Sequence, residues 1–303
     1  MKTLKIKQVS FTFAKKYLLQ NKITNKASHI REAVQKIILN VKKNGDKALI
    51  NLSNKIDKTE FKTVSEASFN KSDLKENYEK LDSGTKKNLN FIKKRIINFH
   101  KAIKISDLKI KDGIFNFLGQ IHKPIDKIGL YAPGGKAVYP SSILMTALVA
   151  RVAGSKEINL FFPSSSRKAK TLMLGTAHLA GITKAYNFGG AHAIAAMAYG
   201  TETIPKSDKI FGPGNQYVTC AKLKSINFNT AIDMPAGPSE LLVLADETAN
   251  PNYLASDLLS QAEHGADSQV IFVSLSRSLI DNVEKCIYNQ IENLNRKNFI
   301  NNL

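Results

Sequence analysis

The chain has 303 residues, of which 43% are hydrophobic and 23% are charged. This is enough apolar material for about two packed domains, and it excludes a disordered or collagen-like chain. No apolar run approaches the roughly 20 residues that cross a bilayer, and the first twenty residues alternate lysines with apolar residues. Two cysteines, Cys220 and Cys286, cannot form a disulfide framework. We therefore expect a cytoplasmic protein without a membrane partner.

The net charge of +19 is unevenly distributed along the chain. Residues 1–125 hold 28 basic and 11 acidic side chains, whereas residues 126–303 hold 16 and 14. A basic segment can bind nucleic acid, but these lysines are scattered and no zinc-finger spacing or RNA-binding aromatic motif accompanies them. The pattern favours solvent-facing helix positions and no nucleic-acid partner, and a basic nucleic-acid-binding protein remains the weakest alternative.

The first third of the chain is predicted to be helical. One apolar stripe has the spacing of a helix face: Ile30, Ala33, Val34, Ile37, Ile38 and Val41. Asn44-Gly45 is expected to end this helix, and one or two further turns follow, up to about Leu52. A second long helix is predicted from near Ser83 to beyond Phe99.

From residue 114 onward, short apolar runs alternate with glycine-rich turns and helical patterns. The predicted strands are 114–121, 128–131, 158–162, 186–188, 209–211, 241–245 and 270–275. Strand–helix alternation of this kind predicts parallel strands with right-handed crossovers. We therefore expect an α/β fold with Rossmann-like parallel sheets and flanking helices, preceded by a helical N-terminal segment. Domain boundaries are predicted near residues 125 and 235.

Three glycine-rich turns, 133–135, 189–191 and 212–215, each follow a predicted strand. In a parallel sheet such turns share the carboxyl edge, where ligands bind at the switch point of strand order. Glycines allow backbone amides to approach a phosphate, and a helix N-terminus favours an anion. None of the turns is a GxGxxG or Walker sequence, so nucleotide binding and simple tight turns remain equally open. His192 directly follows one of these turns and could reach a bound ligand.

Two further patterns are candidates for chemistry. Gln261 and His264 share a helix face at i, i+3, where an oxygen and an imidazole could hold a metal. Glutamine is a rare zinc ligand, so these two residues alone favour a structural role. Residues 234–240 predict a rigid turn before a strand. Within it Ser239 could contact a substrate, or the segment could simply connect two domains.

Five segments together resemble the histidinol dehydrogenase family, in its order and spacing. They are residues 129–135, 189–196, 209–215, 233–240 and 261–264. The early segment 41–49 is also similar to the family's N-terminal helix and turn. The resemblance covers nearly the whole chain and is most specific over residues 129–270.

The resemblance implies a zinc- and NAD-dependent homodimer that oxidises L-histidinol to L-histidine through an aldehyde, the last step of histidine biosynthesis. It implies NAD contacts from Tyr131, His192 and Asn215, although His192 stands where relatives commonly have glutamine. It implies substrate contacts from the three remaining candidates, Ser239, Gln261 and His264. The last two would also bind zinc.

The resemblance also implies two α/β domains, with residues 126–234 binding NAD and residues 1–125 joining residues 235–303 in a discontinuous domain. Family chains continue beyond the point equivalent to Leu303, and that continuation carries the glutamate–histidine pair used as general base and acid. It also carries the remaining zinc ligands. The catalytic residues are therefore expected outside this sequence, and we expect a truncated or partial form of the enzyme. The alternative is a non-catalytic nucleotide-binding remnant of the same fold.

Overall fold

The computed structural model describes residues 8–10, 12, 13, 16, 24–112, 114, 116–134, 138–164, 166–235, 240–263 and 269–294. The chain divides by its contacts into two compact units, residues 25–236 and residues 1–24 with 237–303. This grouping differs from the predicted domains, which placed residues 1–125 with 235–303, and that division stays a prediction. Within the described ranges, no helix combines the length and apolar content needed to cross a membrane.

The N-terminal part of the larger unit is helical, as predicted. Its elements are α1 (Thr24–Ile56), a 3-10 turn (Val64–Ala67), β1 (Ser68–Phe69), α2 (Lys71–Glu79) and α3 (Ser83–Ala102). The predicted helix end at Asn44-Gly45 is a kink, because Gly45 has φ +47° and the helix then resumes. Its interruption frees the Asp46 N–H, which donates to the Glu202 carboxylate at 2.8 Å.

Helix α3 begins at the predicted residue. The Asp82 carboxylate caps it by accepting from the Thr85 N–H at 2.8 Å. A hairpin of β2 (Leu108–Asp112) and β3 (Asn116–Gln120) follows, with its strands antiparallel. All ten residues of these two strands are exposed. The strand predicted at 114–121 corresponds to β3, whereas its partner β2 was not predicted.

The larger unit continues as alternating strands and helices around a six-stranded sheet. These elements are β4 (Lys127–Tyr131), α4 (Pro140–Ala153), β5 (Glu157–Phe161), α5 (Arg167–Ala180), β6 (Lys184–Tyr186), α6 (Gly190–Tyr199), β7 (Lys209–Phe211), α7 (Gln216–Ser225) and β8 (Ala231–Ile232). The strand order is β1-β6-β5-β4-β7-β8, and every pairing is parallel except β1 with β6. Four of the five residues in both β4 and β5 are buried, as expected for a parallel sheet covered on both faces.

The smaller unit contains a two-stranded parallel sheet and two helices. Its elements are β9 (Glu240–Leu244), α8 (Pro251–Ala262), β10 (Gln269–Val273) and α9 (Arg277–Ile291). Four buried side chains form its largest apolar cluster: Leu254, Leu258, Leu279 and Val283. The predicted fold class is confirmed: parallel strands with flanking helices follow a helical N-terminal segment.

Candidate functional site

The order of the strands creates a switch point between β4 and β7. The chain moves outward from β4 through β5 to β6, and then returns to the other side of β4 as β7. The first and third glycine-rich turns therefore leave neighbouring strands at the same edge, after Tyr131 and Phe211. Open α/β sheets bind ligands in the crevice at this position.

Gly212 begins the turn after β7, and both its backbone N–H and its carbonyl oxygen form hydrogen bonds with side chains. Its φ is +118°, and a Cβ there would lie 1.9 Å from the Tyr131 carbonyl oxygen, so a larger residue cannot be accommodated. The Gly212 N–H donates to Asp233 at 2.8 Å, and its carbonyl accepts from the Lys222 ammonium at 2.7 Å. Lys222 is buried and also pairs directly with Asp233. This partly buried ion pair fixes the turn that leads to Asn215.

Asn215 caps helix α7. Its side-chain oxygen accepts from the N–H groups of Tyr217 at 3.0 Å and Val218 at 3.1 Å. The residue is exposed at the carboxyl edge of the sheet. It therefore orients the N-terminus of a helix toward the crevice, and its contact with NAD stays a prediction.

Tyr131 ends β4 and is only 6% exposed. Its hydroxyl oxygen accepts from the Gly190 N–H at 3.1 Å, which joins the end of β4 to the start of α6. Burial raises the pKa of Tyr131 to about 12, and the nearby Asp57 charge adds to this rise while the Gly190 hydrogen bond opposes it. The hydroxyl is therefore protonated at neutral pH and keeps a hydrogen to donate.

His192 lies at the start of α6, as predicted, but its ring is fully buried. Its Nε2 lies 3.1 Å from the Oδ2 of Asp57, directly after α1. Sequence reasoning identified His192 and missed Asp57, because the two residues are 135 positions apart. The predicted NAD contact of His192 remains a prediction.

The turns after β4, β5 and β6 pack closely together. A Cβ on Gly134 would lie 1.9 Å from the Pro163 carbonyl oxygen, and one on Gly189 would lie 2.7 Å from the Pro163 Cβ. The Asn187 side chain accepts from the Ser164 N–H at 2.7 Å and donates to the Ser164 carbonyl at 3.0 Å. The glycines at these turns therefore permit close approach of the backbone. The sequence analysis had left two explanations for these glycines open, tight turns and nucleotide binding, and this packing accounts for the first.

The structure describes only one of the three candidate residues of the smaller unit. Gln261 lies in the last turn of α8 and is half-buried, whereas Ser239 and His264 lie outside the described residues. Within the described ranges, no group of three or more His, Cys, Asp or Glu side chains is placed to hold a metal ion. The described residues therefore do not form a complete zinc site by themselves.

The fold and its carboxyl-edge turns define a doubly wound α/β protein whose strand order reverses between β4 and β7, the position at which such folds bind ligands. The family profile described as histidinol dehydrogenase matches residues 20–303. Histidinol dehydrogenase from Neisseria meningitidis is 41% identical over 267 residues, covering 88% of this chain, and that from Listeria innocua is 43% identical over 276 residues, covering 90%. This chain belongs to the histidinol dehydrogenase family.

A solved structure supports the same assignment. The crystal structure of histidinol dehydrogenase from Elizabethkingia anophelis matches with a TM-score of 0.76 and 38% identity, over 99% of this chain. The chain spans 62% of the Neisseria relative, 63% of the Listeria relative and 64% of the Elizabethkingia chain. The comparison therefore covers less than two thirds of each of these relatives.

Proposed function

We propose that this chain supplies the NAD-binding sheet and part of the active site of a histidinol dehydrogenase, which oxidises L-histidinol to L-histidine through the aldehyde. The observation that carries the proposal is the switch point, where glycine-built turns and the Asn215-capped helix meet beside Tyr131. Both features suit the phosphates and ribose of a dinucleotide. Family membership supplies the substrate class.

In this proposal Tyr131, His192 and Asn215 bind NAD, and Ser239, Gln261 and His264 bind the substrate. The NAD held by these residues would supply the hydride acceptor for the substrate carbon. Tyr131 keeps its hydroxyl hydrogen and would donate it to the bound cofactor, while the turn at Gly212, held by Asp233, leads into the N-terminus of α7. A general base must remove the hydroxyl proton in each oxidation, and by the family resemblance that base lies in the part of the relatives that this chain does not match.

The proposal is tested with the 303-residue chain and with a version extended by the C-terminal part of a relative. Each is given histidinol, NAD and zinc, and NADH is followed by its absorbance. We expect the 303-residue chain to bind NADH but form none above background, and the extended chain to turn over. Turnover by the shorter chain would disprove the placement of the general base. An extended chain that binds NADH without turnover would favour the nucleotide-binding remnant instead.

The zinc part of the proposal rests on Gln261 and His264, whose i, i+3 spacing in the sequence is that of two residues on one helix face. The described helix α8 ends at Ala262, so Gln261 lies in it and His264 lies outside the described residues. An amide oxygen and a neutral imidazole bring no negative charge to Zn²⁺, so binding by these two ligands alone is weak. We expect near-stoichiometric zinc in the extended chain, and loss of both zinc and activity in its His264→Ala variant. Full zinc content in that variant, measured by atomic emission, would contradict the assignment.

We also propose a cytoplasmic homodimer, supported by an apolar surface on α3 and the β2–β3 hairpin. Its most exposed apolar side chains include Phe91 and Phe99 (each 61% exposed), Phe117 (57%) and Leu118 (61%). Exposed apolar patches mark protein interfaces, and these side chains are the candidates for such a patch. We expect Phe117→Lys to lower the mass measured by light scattering to that of one chain. Leu223→Lys, at an exposed apolar position on α7, is the control and should leave the mass unchanged.

A further inference from the structure

The pair formed by Asp57 and His192 joins the end of the N-terminal helix to the proposed cofactor-binding edge. The Asp57 side chain is 21% exposed and that of His192 is 0% exposed, and their Oδ2 and Nε2 atoms are 3.1 Å apart. Neither the family profile nor the sequence motifs assign a role to Asp57. Placing a carboxylate against a buried ring removes part of it from water, which is unfavourable unless the carboxylate gains a hydrogen bond. The contact with His192 supplies that hydrogen bond.

The chemistry of the pair determines which ring nitrogen carries a proton. An ionised carboxylate only accepts hydrogen bonds, so the His192 Nε2 must be the donor. In the neutral ring the Nδ1 is then a bare acceptor. That Nδ1 is buried and has no hydrogen-bond partner among the described residues. A Cβ on Gly190 would lie 3.3 Å from it, which places it against the first turn of α6.

Asp57 also lies against the turn that precedes His192. A Cβ on Gly189 would lie 3.3 Å from the Asp57 Oδ2, and the next residue, Gly190, donates its N–H to the Tyr131 hydroxyl. The charge of Asp57 contributes to the raised pKa of Tyr131. The carboxylate is therefore close to both partners of the hydrogen bond that joins β4 to α6.

We propose that Asp57 is a positioning residue for the cofactor-binding edge: it fixes the ring of His192 with Nε2–H toward the carboxylate, and thereby fixes the Gly189–Gly190 turn against Tyr131. The proposal rests on the proposed binding of NAD at this edge. It gives the N-terminal helix a part in the site, beyond packing against the sheet. It also leaves the His192 Nδ1 as the acceptor for a hydrogen-bond donor at the start of α6.

The first test measures NADH binding to the 303-residue chain by fluorescence titration. We expect Asp57→Ala to weaken the Kd about tenfold, and Asp57→Asn to stay within about threefold of wild type, because its amide oxygen still accepts from Nε2–H. In a His192→Ala background, Asp57→Ala should add less than a twofold change. Asp82→Ala is the matched control. It also removes a carboxylate, but Asp82 caps helix α3 and does not contact the turns at Gly189, Gly190 or Tyr131. A Kd within twofold of wild type for Asp57→Ala would overturn the proposal.

The second test reads the His192 tautomer directly by ¹⁵N NMR of histidine-labelled protein, with the signal assigned by its loss in His192→Gln. We expect a protonated Nε2 and an unprotonated Nδ1 in the wild type and in Asp57→Asn, and loss of this preference in Asp57→Ala. The opposite tautomer in the wild type would overturn the role of Asp57. If the wild type bound no NADH, the proposed NAD site would fail. The tautomer would still decide whether Asp57 positions the ring.

Discussion

The sheet of the larger unit is mostly parallel and that of the smaller unit is parallel, but only the first has buried central strands. Four of five residues are buried in both β4 and β5, whereas no residue of β9 or β10 is. Leu242 and Leu244 of β9 are 60% and 74% exposed. Parallel sheets are normally covered on both faces. The described residues therefore complete the core of the larger unit and leave part of the smaller sheet uncovered.

This difference separates the unit that carries the predicted NAD contacts from the unit that carries the predicted substrate and zinc ligands. The larger unit holds its carboxyl-edge turns with its own residues, through the Lys222–Asp233 pair and the Tyr131–Gly190 hydrogen bond. The predicted substrate and zinc ligands belong to the smaller unit, whose apolar cluster is much smaller. We infer that the larger unit is more rigid than the described part of the smaller unit.

The strongest test of this comparison replaces the glycine with the closest backbone contact. We expect Gly212→Ala to lose about 4 kcal/mol or more of unfolding free energy, because its Cβ would meet the Tyr131 carbonyl oxygen at 1.9 Å. The matched control is Gly154→Ala, with φ +107° and a nearest atom at 3.4 Å. Conformational strain alone should cost it about 1–2 kcal/mol. Urea denaturation followed by circular dichroism measures both, and equal losses would contradict a rigid switch point.

A second test compares one leucine in each unit. Leu160 of β5 is 0% exposed and Leu258 of α8 is 5% exposed. Leucine-to-alanine changes cost roughly 2–5 kcal/mol, and we expect Leu160→Ala near the upper end and Leu258→Ala near the lower end. Amide hydrogen exchange read by mass spectrometry assigns each loss to its own unit. A larger loss of protection from Leu258→Ala would show that the smaller unit is the better packed of the two.

The smallest expected effect concerns alkaline stability. The folded-state pKa of Tyr131 is about 12 against an ordinary 10, so the neutral phenol stabilises the fold fully below pH 10 and this contribution is lost as pH rises toward 12. Tyr131→Phe should be about 1 kcal/mol less stable at pH 7, where it lacks the Gly190 hydrogen bond. The difference in unfolding free energy between the two proteins should close above pH 10, and by about pH 12 the variant should be the more stable one, because a rise of the pKa from 10 to about 12 is worth about 2 kcal/mol there. The 74%-exposed Tyr253 gives the control, since Tyr253→Phe should leave the pH dependence unchanged.

Much of the fold was predictable because its signals are local. The order of strands and helices follows from apolar periodicity, and the start of α3 follows from the residues around Ser83. The turns at the ends of strands are predictable from their glycines. Glycine adopts the positive φ seen at Gly212 because it has no side chain, which is a property of that residue alone. By contrast, β2 was missed because its lysines and exposed apolar residues give no buried face to detect.

The sequence by itself determined the fold class, the candidate residues and, through the resemblance, the family. Only the tertiary structure decided which strands are neighbours, and hence that the turns after Tyr131 and Phe211 share an edge. It also decided that His192 is buried and lies against Asp57, a neighbour that the sequence did not indicate. The pairing of Asp57 with His192 depends on distances through space between residues far apart in the chain. No local pattern encodes such distances, because they exist only once the sheet and its helices have packed.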